Sequence, residues 1–326
     1  MRTFGVALSA LLLTTGIASA KSSGGVKLLD IPTVNIGKDA SGKDVNLPMA
    51  GLGTWEYNNS RAGAAVEVAL GIGYVHVDTA FIYGNQVGIG EALQKSTRER
   101  SSYFITSKIP GGLGAKDAAE HLETCLKQLQ VDYVDLMLIH YPATMDAKQA
   151  GGKAGRQAEW KALEAFYKAG KAKAIGVSHY CPRHLEDIFE IATVKPAVNQ
   201  VQFHVGMGKA PVNATDGIAF DRKNGVLYES FSPLCGPCGT TELINGPMVT
   251  KIGAKYGKSG VQVSLKWIVQ QGIPVIPKTD KAQHMKENMD LFDWKLSAQD
   301  MATLTNANSP PVAGPSPTSS GDCAVA

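Results

Sequence analysis

The sequence predicts a (β/α)8 barrel, a TIM barrel, with an N-terminal β-hairpin at the barrel bottom. Three observations point there. From residue 47 onward, short apolar runs alternate with helix-periodic segments along most of the 326 residues. Polar residues recur at the ends of those runs: Asp78 to Lys108 is 30 residues, Lys108 to His140 is 32, and His140 to Ser178 is 38. That interval suits one βα unit, and parallel neighbours need helical crossovers of this kind. Finally, the glycine pairs Gly51/Gly53, Gly71/Gly73 and Gly88/Gly90 all lack the third glycine of G-x-G-x-x-G, which disfavours a doubly wound dinucleotide domain.

Taken in order, segments 27–34 and 44–47 read as the hairpin. Strands are expected at 47–53, 75–78, 103–108, 134–140, 172–178, 197–203, 226–231 and 273–277, each a short apolar run. Helical periodicity fills 61–70, 86–98, 116–129, 156–168 and 182–192. Pro182 suits a first helical position, where its missing N–H costs nothing. Gly71 and Gly170 suit helix C-termini. Segment 214–223 carries only a weak helical pattern, and 231–273 holds a loop followed by helices at 248–256 and 261–271.

Both ends of the chain read differently. Arg2, an apolar stretch from Phe4 to Ile17 and the small pair Ala18/Ala20 make residues 1–20 a signal peptide cleaved before Lys21. That predicts a chain in the secretory pathway: secreted, in the endoplasmic-reticulum lumen, or periplasmic in a bacterium. Two sequons begin at Asn58 and Asn213. One domain is expected over 21–308, and the Pro-, Ser- and Gly-rich tail 309–326 is expected to be disordered. Charged residues are 19% of the chain, against about 25% in an average soluble protein. A formal net charge of +3 without a like-charge block argues against a nucleic-acid partner. No further segment is apolar enough for a membrane span, and a monomer is expected.

The strand ends carry residues that are costly to bury without a role: Asp78, Lys108 and His140, with Tyr83 five residues beyond Asp78. A carboxylate beside an ammonium keeps both charged in a desolvated mouth. An ammonium beside a phenol is expected to lower the phenol from its ordinary value near 10. Such a phenol is a proton donor, and a histidine beside it can hydrogen-bond a carbonyl oxygen. Singly, each residue reads as a salt bridge, a core histidine or a rim aromatic. Four at matching strand ends do not.

These residues also sit in motifs that resemble the aldo-keto reductases. The matching stretches are Leu52-Gly53-Thr54-Trp55, Gly73-Tyr74-Val75-His76-Val77-Asp78-Thr79-Ala80 with Tyr83-Gly84-Asn85, and Ile105-Thr106-Ser107-Lys108. They continue with Asp135-Leu136-Met137-Leu138-Ile139-His140-Tyr141-Pro142, Ile175-Gly176-Val177-Ser178, Val198-Asn199-Gln200-Val201, Phe231-Ser232-Pro233-Leu234 and Val275-Ile276-Pro277-Lys278, then Glu287-Asn288. The resemblance runs from about residue 47 to 305. It implies reversible reduction of an aldehyde or ketone, such as a sugar or another small carbonyl, by NADPH, with NADH the lesser alternative.

By the same resemblance Tyr83 is the general acid, Lys108 and Asp78 tune it, and His140 orients the carbonyl. Trp55 and Tyr141 would join His140 around the substrate. Gly53 and Thr54 would border the cofactor, and Ser178, His179 and Gln200 would hold the nicotinamide amide. The ring would stack on Phe231, with Ser232 and Leu234 along the pyrophosphate. Lys278, Thr279 and His284 would meet the 2′-phosphate, and Glu287 and Asn288 the adenine.

The chain departs from the family at His179, where Asn is usual. An imidazole there can donate to the amide carbonyl but cannot make both amide contacts. His284 replaces the usual Arg, losing a permanent bidentate donor. Phe231 stands for the usual Tyr, Ile109 for a frequent aromatic, and Val205 for a common Pro.

Cys235-Gly236-Pro237-Cys238 matches a redox-active dithiol string, but it follows the seventh barrel strand and lacks a preceding Trp, so a local pair in an exported protein is the simpler reading. Cys125, Cys181 and Cys323 complete an odd count. No His/Cys/Asp spacing reads as a metal site. A non-catalytic nucleotide-binding or regulatory protein on the same barrel is the alternative function, disfavoured by the intact quartet. A barrel glycosidase would need two suitably separated rim carboxylates, and only Asp78 stands in a strong position.

Overall fold

The structure is a computed structural model and describes residues 26–143, 152–207 and 214–311. The expected leader and its cleavage site, the sequon at Asn213, and Cys323 with the tail beyond Pro311 lie outside the described residues.

A two-stranded antiparallel sheet, β1 (Thr33–Lys38) and β2 (Asp44–Pro48), precedes a seven-stranded parallel sheet in sequential order. That sheet comprises β3 (Leu52–Gly53), β4 (His76–Asp78), β5 (Phe104–Ile109), β6 (Val134–Ile139), β7 (Ala172–Ser178), β8 (Val198–Gln202) and β9 (Leu227–Phe231). Helices α1 (Asn59–Gly71), α2 (Gln86–Lys95), α3 (Gly114–Leu129), α4 (Gly152–Lys168), α5 (Pro182–Phe189) and α6 (Ala214–Asn224) connect them. After β9 come α7 (Glu242–Asn245), α8 (Pro247–Ala254), α9 (Gly260–Val269), α10 (Ala282–Met289) and α11 (Ala298–Thr305).

The expected eighth strand at 273–277 is corrected to isolated bridges from Val275 to Ala50 and to Ser230. Pro274 and Pro277 have no N–H, so a full ladder cannot form. The barrel closes nonetheless through single backbone bonds. Val275 N donates to Met49 O and Ile276 N to Ser230 O, while Gly51 N, Gly53 N and Ser230 N donate back to Val275, Pro277 and Pro274. Gly53 belongs to this seam. A Cβ there would lie 2.8 Å from Ile276 O, so the glycine lets the last segment close against the first.

The hairpin is also displaced from its expected limits at 27–34 and 44–47. Its turn is set by Asp39, whose Oδ1 accepts from Ser41 N at 2.8 Å and Lys43 N at 3.0 Å, which moves the first strand to 33–38. It caps the barrel bottom as expected: Val45, Leu47 and Ile36 pack with Phe104, Leu136, Leu138, Ala174 and Val198. The larger core lies between the outer barrel wall and the helices, around Trp160, Trp267 and Ile105.

Helix signals held at particular residues. Pro182 opens α5, and Gly170 follows α4 with φ 74°. The left-handed glycine after α1 is Gly73 rather than Gly71, which remains in the helix. α10 and α11 were not expected. The packed region runs past residue 308: Ser309 Oγ donates to Glu242 Oε2 at 2.8 Å and Pro310 is buried. No helix among the described residues is long and apolar enough to cross a membrane.

Candidate active site

The parallel register brings the C-terminal ends of β4, β5, β6, β7 and β8 to one rim. Asp78 pairs across to Thr106, and Ser178 to Gln200. Beyond β4 the chain makes one 3₁₀ turn, Phe81–Tyr83, ended by Gly84 at φ 65°. Asn85 locks that turn. Its amide donates to Thr54 O at 2.8 Å and Tyr57 O at 2.9 Å, and its Oδ1 accepts from Thr79 Oγ1 at 3.0 Å. Tyr83 is thereby held over the barrel mouth.

Beneath it, Lys108 Nζ donates to Asp78 Oδ1 at 2.6 Å and Thr79 O at 3.0 Å, and lies 3.5 Å from Tyr83 Oη. The Lys108 side chain is fully buried and that of Asp78 is 2% exposed, so the two charges must satisfy each other. Gln200 Nε2 donates to Asp78 Oδ2 at 2.9 Å and also to Glu229 Oε2 at 2.9 Å. Burial raises the Asp78 carboxyl against the pull of Lys108 and Gln200. Burial pushes Glu229 up to about 7, aided by Asp78.

The expectation of a lowered Tyr83 pKa is corrected. Burial, then Asp78 and Tyr141, hold the phenol well above its ordinary value. The physical reason is burial: the phenolate would be desolvated and would face the Asp78 carboxylate, and the Lys108 ammonium, 2.6 Å from that carboxylate and 3.5 Å from the phenol, does not reverse the shift. Tyr83 is a protonated donor here, not an incipient phenolate.

His140 stands edge-on to Tyr83, with ring centroids 5.5 Å apart. Burial, Lys108 and His179 keep its imidazole neutral, well below its ordinary value. Its Nδ1 is buried without a hydrogen-bond partner, and the residue lines the cavity. His140, Tyr141, His179 and Phe231 form a continuous aromatic wall, at 4.4, 4.6 and 4.7 Å between successive rings.

His179 adopts φ 61°, a conformation that suits Asn and that His tolerates better than most residues. Its Nδ1 lies 3.0 Å from His140 O, a contact in which the ring nitrogen must donate. Its other nitrogen is then an acceptor, which corrects the expectation that this imidazole donates to the cofactor amide. Burial lowers its pKa to about 4.

A cavity of about 490 Å³ gathers most of the expected residues: Gly53, Thr54, Trp55, Asp78, Tyr83, His140, Tyr141, His179, Gln200, Phe231, Ser232, Leu234 and Lys278. Lys108 lies below it, touching Tyr83. Ser178 is fully buried, its hydroxyl donating to Gln200 O at 2.7 Å, so it braces the wall rather than lining it. Thr279 is buried, and its Oγ1 accepts from Lys281 N. His284, Glu287 and Asn288 sit on α10, outside the cavity lining.

Residues not anticipated also reach the site. Glu56 lines the mouth at φ 63° and accepts from Lys278 Nζ at 2.8 Å. Nothing local links two residues so far apart in sequence. Glu229 carried a legible signal: strand alternation puts it on the same face as Phe231, so an acid there must point into the barrel. Gln202, Pro233, Gly236, Pro237, Thr240, Ile244, Ile276 and Pro277 complete the lining.

Residues 49–309 match the model of the aldo/keto reductase family. The chain is 37% identical over 279 residues to the oxidoreductase YtbE of Bacillus subtilis, covering 84% of this chain and 93% of that one. It is 36% identical over 275 residues to a glyoxal reductase of the same organism, with the same coverage. Among solved structures, an aldo-keto reductase from a Medee basin deep-sea metagenome library superposes with a TM-score of 0.73 at 33% identity, over 81% of this chain and 93% of that one. A silkworm (Bombyx mori) aldo-keto reductase complexed with NADPH gives 0.75 at 29% identity, over 86% and 89%.

Proposed function

The chain belongs to the aldo/keto reductase family, and on that premise we propose how its barrel rim performs carbonyl reduction. It is an NADP-dependent oxidoreductase that reduces a carbonyl to an alcohol. The residues present fit that cofactor. The cavity offers an aromatic face at Phe231, a loop at Ser232–Leu234 and a partly exposed ammonium, Lys278, toward its mouth. NADPH supplies the hydride when bound.

The chain's own residues do the rest. Gln200 has spent both amide hydrogens on Asp78 and Glu229, so its Oε1 can accept from the nicotinamide amide. Phe231 offers a face for the ring, and Lys278 a charge for the 2′-phosphate once it leaves Glu56. His140 Nε2–H donates to the substrate carbonyl oxygen and sets its orientation. Tyr83 Oη gives that oxygen a proton as negative charge develops on it. The Lys108 ammonium, anchored by Asp78, offsets the charge left on the phenolate. Trp55 and Tyr141 wall the substrate side, without strongly polar groups, which suits a small aldehyde or ketone.

The observation that carries this reading is one buried cluster: Lys108 Nζ 2.6 Å from Asp78 and 3.5 Å from Tyr83, beside a neutral His140. The test is cofactor oxidation by purified residues 21–326 against a panel of aldehydes, ketones and sugars, with NADPH and NADH. Turnover of small aldehydes with NADPH favoured supports it, and no turnover of any carbonyl refutes it.

The leader pattern supports export of the chain, with cleavage after Ala20, and we propose that it acts as a monomer. Mature protein beginning at Met1, or a dimer by sedimentation, refutes the respective part.

A further inference from the structure

His204, Cys235 and Cys238 have no part in the chemistry above, yet the fold brings them together. His204 follows β8, and Cys235 lies in the loop after β9, 31 residues later. Neighbouring parallel strands place these two ends side by side. The ligand-capable atoms of the three residues all lie within 4.8 Å of one another. This is the one such group of three or more His, Cys, Asp or Glu among the described residues.

The histidine is set for ligation. Its Nδ1 donates to Val205 O at 2.8 Å, which fixes the tautomer and leaves a lone pair on Nε2. The other contact of that nitrogen is long, 3.4 Å from Gln202 Nε2. His204 is fully buried, so its ring is held in place within the barrel wall.

The cysteines supply the chelate. Their C-x-x-C spacing is that of paired thiolate ligands, and Cys235 N is turned back on Ser232 O at 2.9 Å in a loop where Cys235 holds φ 51°. In the structure the two sulfurs are joined as a disulfide. A fourth donor stands beside them: Pro311 O lies 3.5 Å from Cys238 Sγ and 3.9 Å from Cys235 Sγ.

We propose that reduced Cys235 and Cys238, with His204 Nε2 and the Pro311 carbonyl or a water, bind one Zn2+. The choice of ion follows from charge. Two thiolates and a neutral imidazole around Zn2+ sum to zero, the cheapest state to bury, whereas Cu+ would leave one negative charge in the same place. The disulfide and the metal site exclude each other. A dithiol reductant gives two electrons and two protons to the disulfide and is itself oxidised to a disulfide. Zn2+ then displaces the two thiol protons.

The site lies directly behind the cavity wall. Ser232, Pro233, Leu234, Gly236 and Pro237, which line the cavity, flank or separate the two cysteines. The sequence concealed it because the third ligand is one βα unit upstream of the C-x-x-C, and no local spacing records that.

The test uses the full chain reduced with a phosphine, freed of reductant under anaerobic conditions and titrated with Zn2+ against a chromogenic chelator. Co2+ serves as the spectroscopic probe. One Zn2+ per chain in the reduced protein, none in the oxidised protein, and thiolate-to-cobalt charge-transfer absorption are expected. Cys238→Ser should abolish the site, and His204→Gln should weaken it by about tenfold or more. Since His204 is buried, its variant can fail to fold; Cys238 lies in a partly exposed loop and keeps the test decisive. Equal Zn2+ binding by Cys238→Ser overturns the proposal. Absence of Zn2+ binding by the reduced wild type, or uptake of Cu+ alone, does so too.

Discussion

Replacing Lys108 by methionine separates what the buried ion pair does for the fold from what it does for the reaction. The ammonium is fully buried and donates to Asp78 Oδ1 at 2.6 Å. Without it, Asp78 keeps the Gln200 amide as its side-chain donor and must hold a charge in the barrel interior or take up a proton. Removing one partner of such a pair typically costs about 3–5 kcal/mol. At roughly 2 °C per kcal/mol for a chain of this size, Tm should fall by about 6–10 °C. Turnover should fall at least about 100-fold, since the proton donor loses the cation that stabilises its conjugate base. The double variant Asp78→Asn with Lys108→Met removes the stranded charge as well. Calorimetry should therefore show most of the lost stability restored, while the NADPH oxidation assay shows no recovery. A single variant that melts with the wild type would refute the burial argument. A double variant that regains turnover would show that the pair has no catalytic part.

Other consequences follow from the same geometry. Glu56→Gln frees Lys278 from its carboxylate; this exposed pair is worth at most about 1 kcal/mol, so NADPH should bind up to about fivefold tighter by fluorescence titration, with NADH unaffected. His179→Asn replaces an acceptor-only ring nitrogen with an amide that donates and accepts, and should tighten NADPH about three- to tenfold if it gains one hydrogen bond. Glu229 titrates at about 7 when folded, above its ordinary 4.5. The folded state then holds the proton more tightly, so this group's contribution is full below about 4.5 and is lost as pH rises through about 7. Glu229→Gln should flatten that part of the stability profile and raise Tm at pH 8, provided Gln200 keeps its contact; an unchanged slope would show that Glu229 does not carry it.

The sequence exposed those parts of the fold that depend on local pattern. Apolar runs ending in Asp78, Lys108, His140 and Ser178 became strands β4 to β7, with the rim where alternation put it. The last strand was illegible because its closure depends on which N–H groups survive between Pro274 and Pro277. The hairpin moved because Asp39 controls the turn through its own side chain, which apolar periodicity does not report. At the site, residue identities were legible but their electrostatics were not. Burial of the phenol, with Asp78 and Tyr141 beside it, decides the direction of its shift, and that environment exists only in the folded barrel. The contacts of Glu56 with Lys278, and of His204 with the cysteine pair, join segments that carry no mutual signal in the chain.

The role of Tyr83 as proton donor is the centre of the account, and Tyr83→Phe tests it with the least disturbance, because the ring and its edge contact with His140 remain. The measurement is kcat for reduction of a small aldehyde alongside the NADPH dissociation constant. The account predicts a fall in kcat of at least about 100-fold, the usual worth of a positioned acid, with NADPH affinity within about twofold of wild type. Retention of more than about a tenth of wild-type kcat would contradict it, since a phenylalanine has no proton to give.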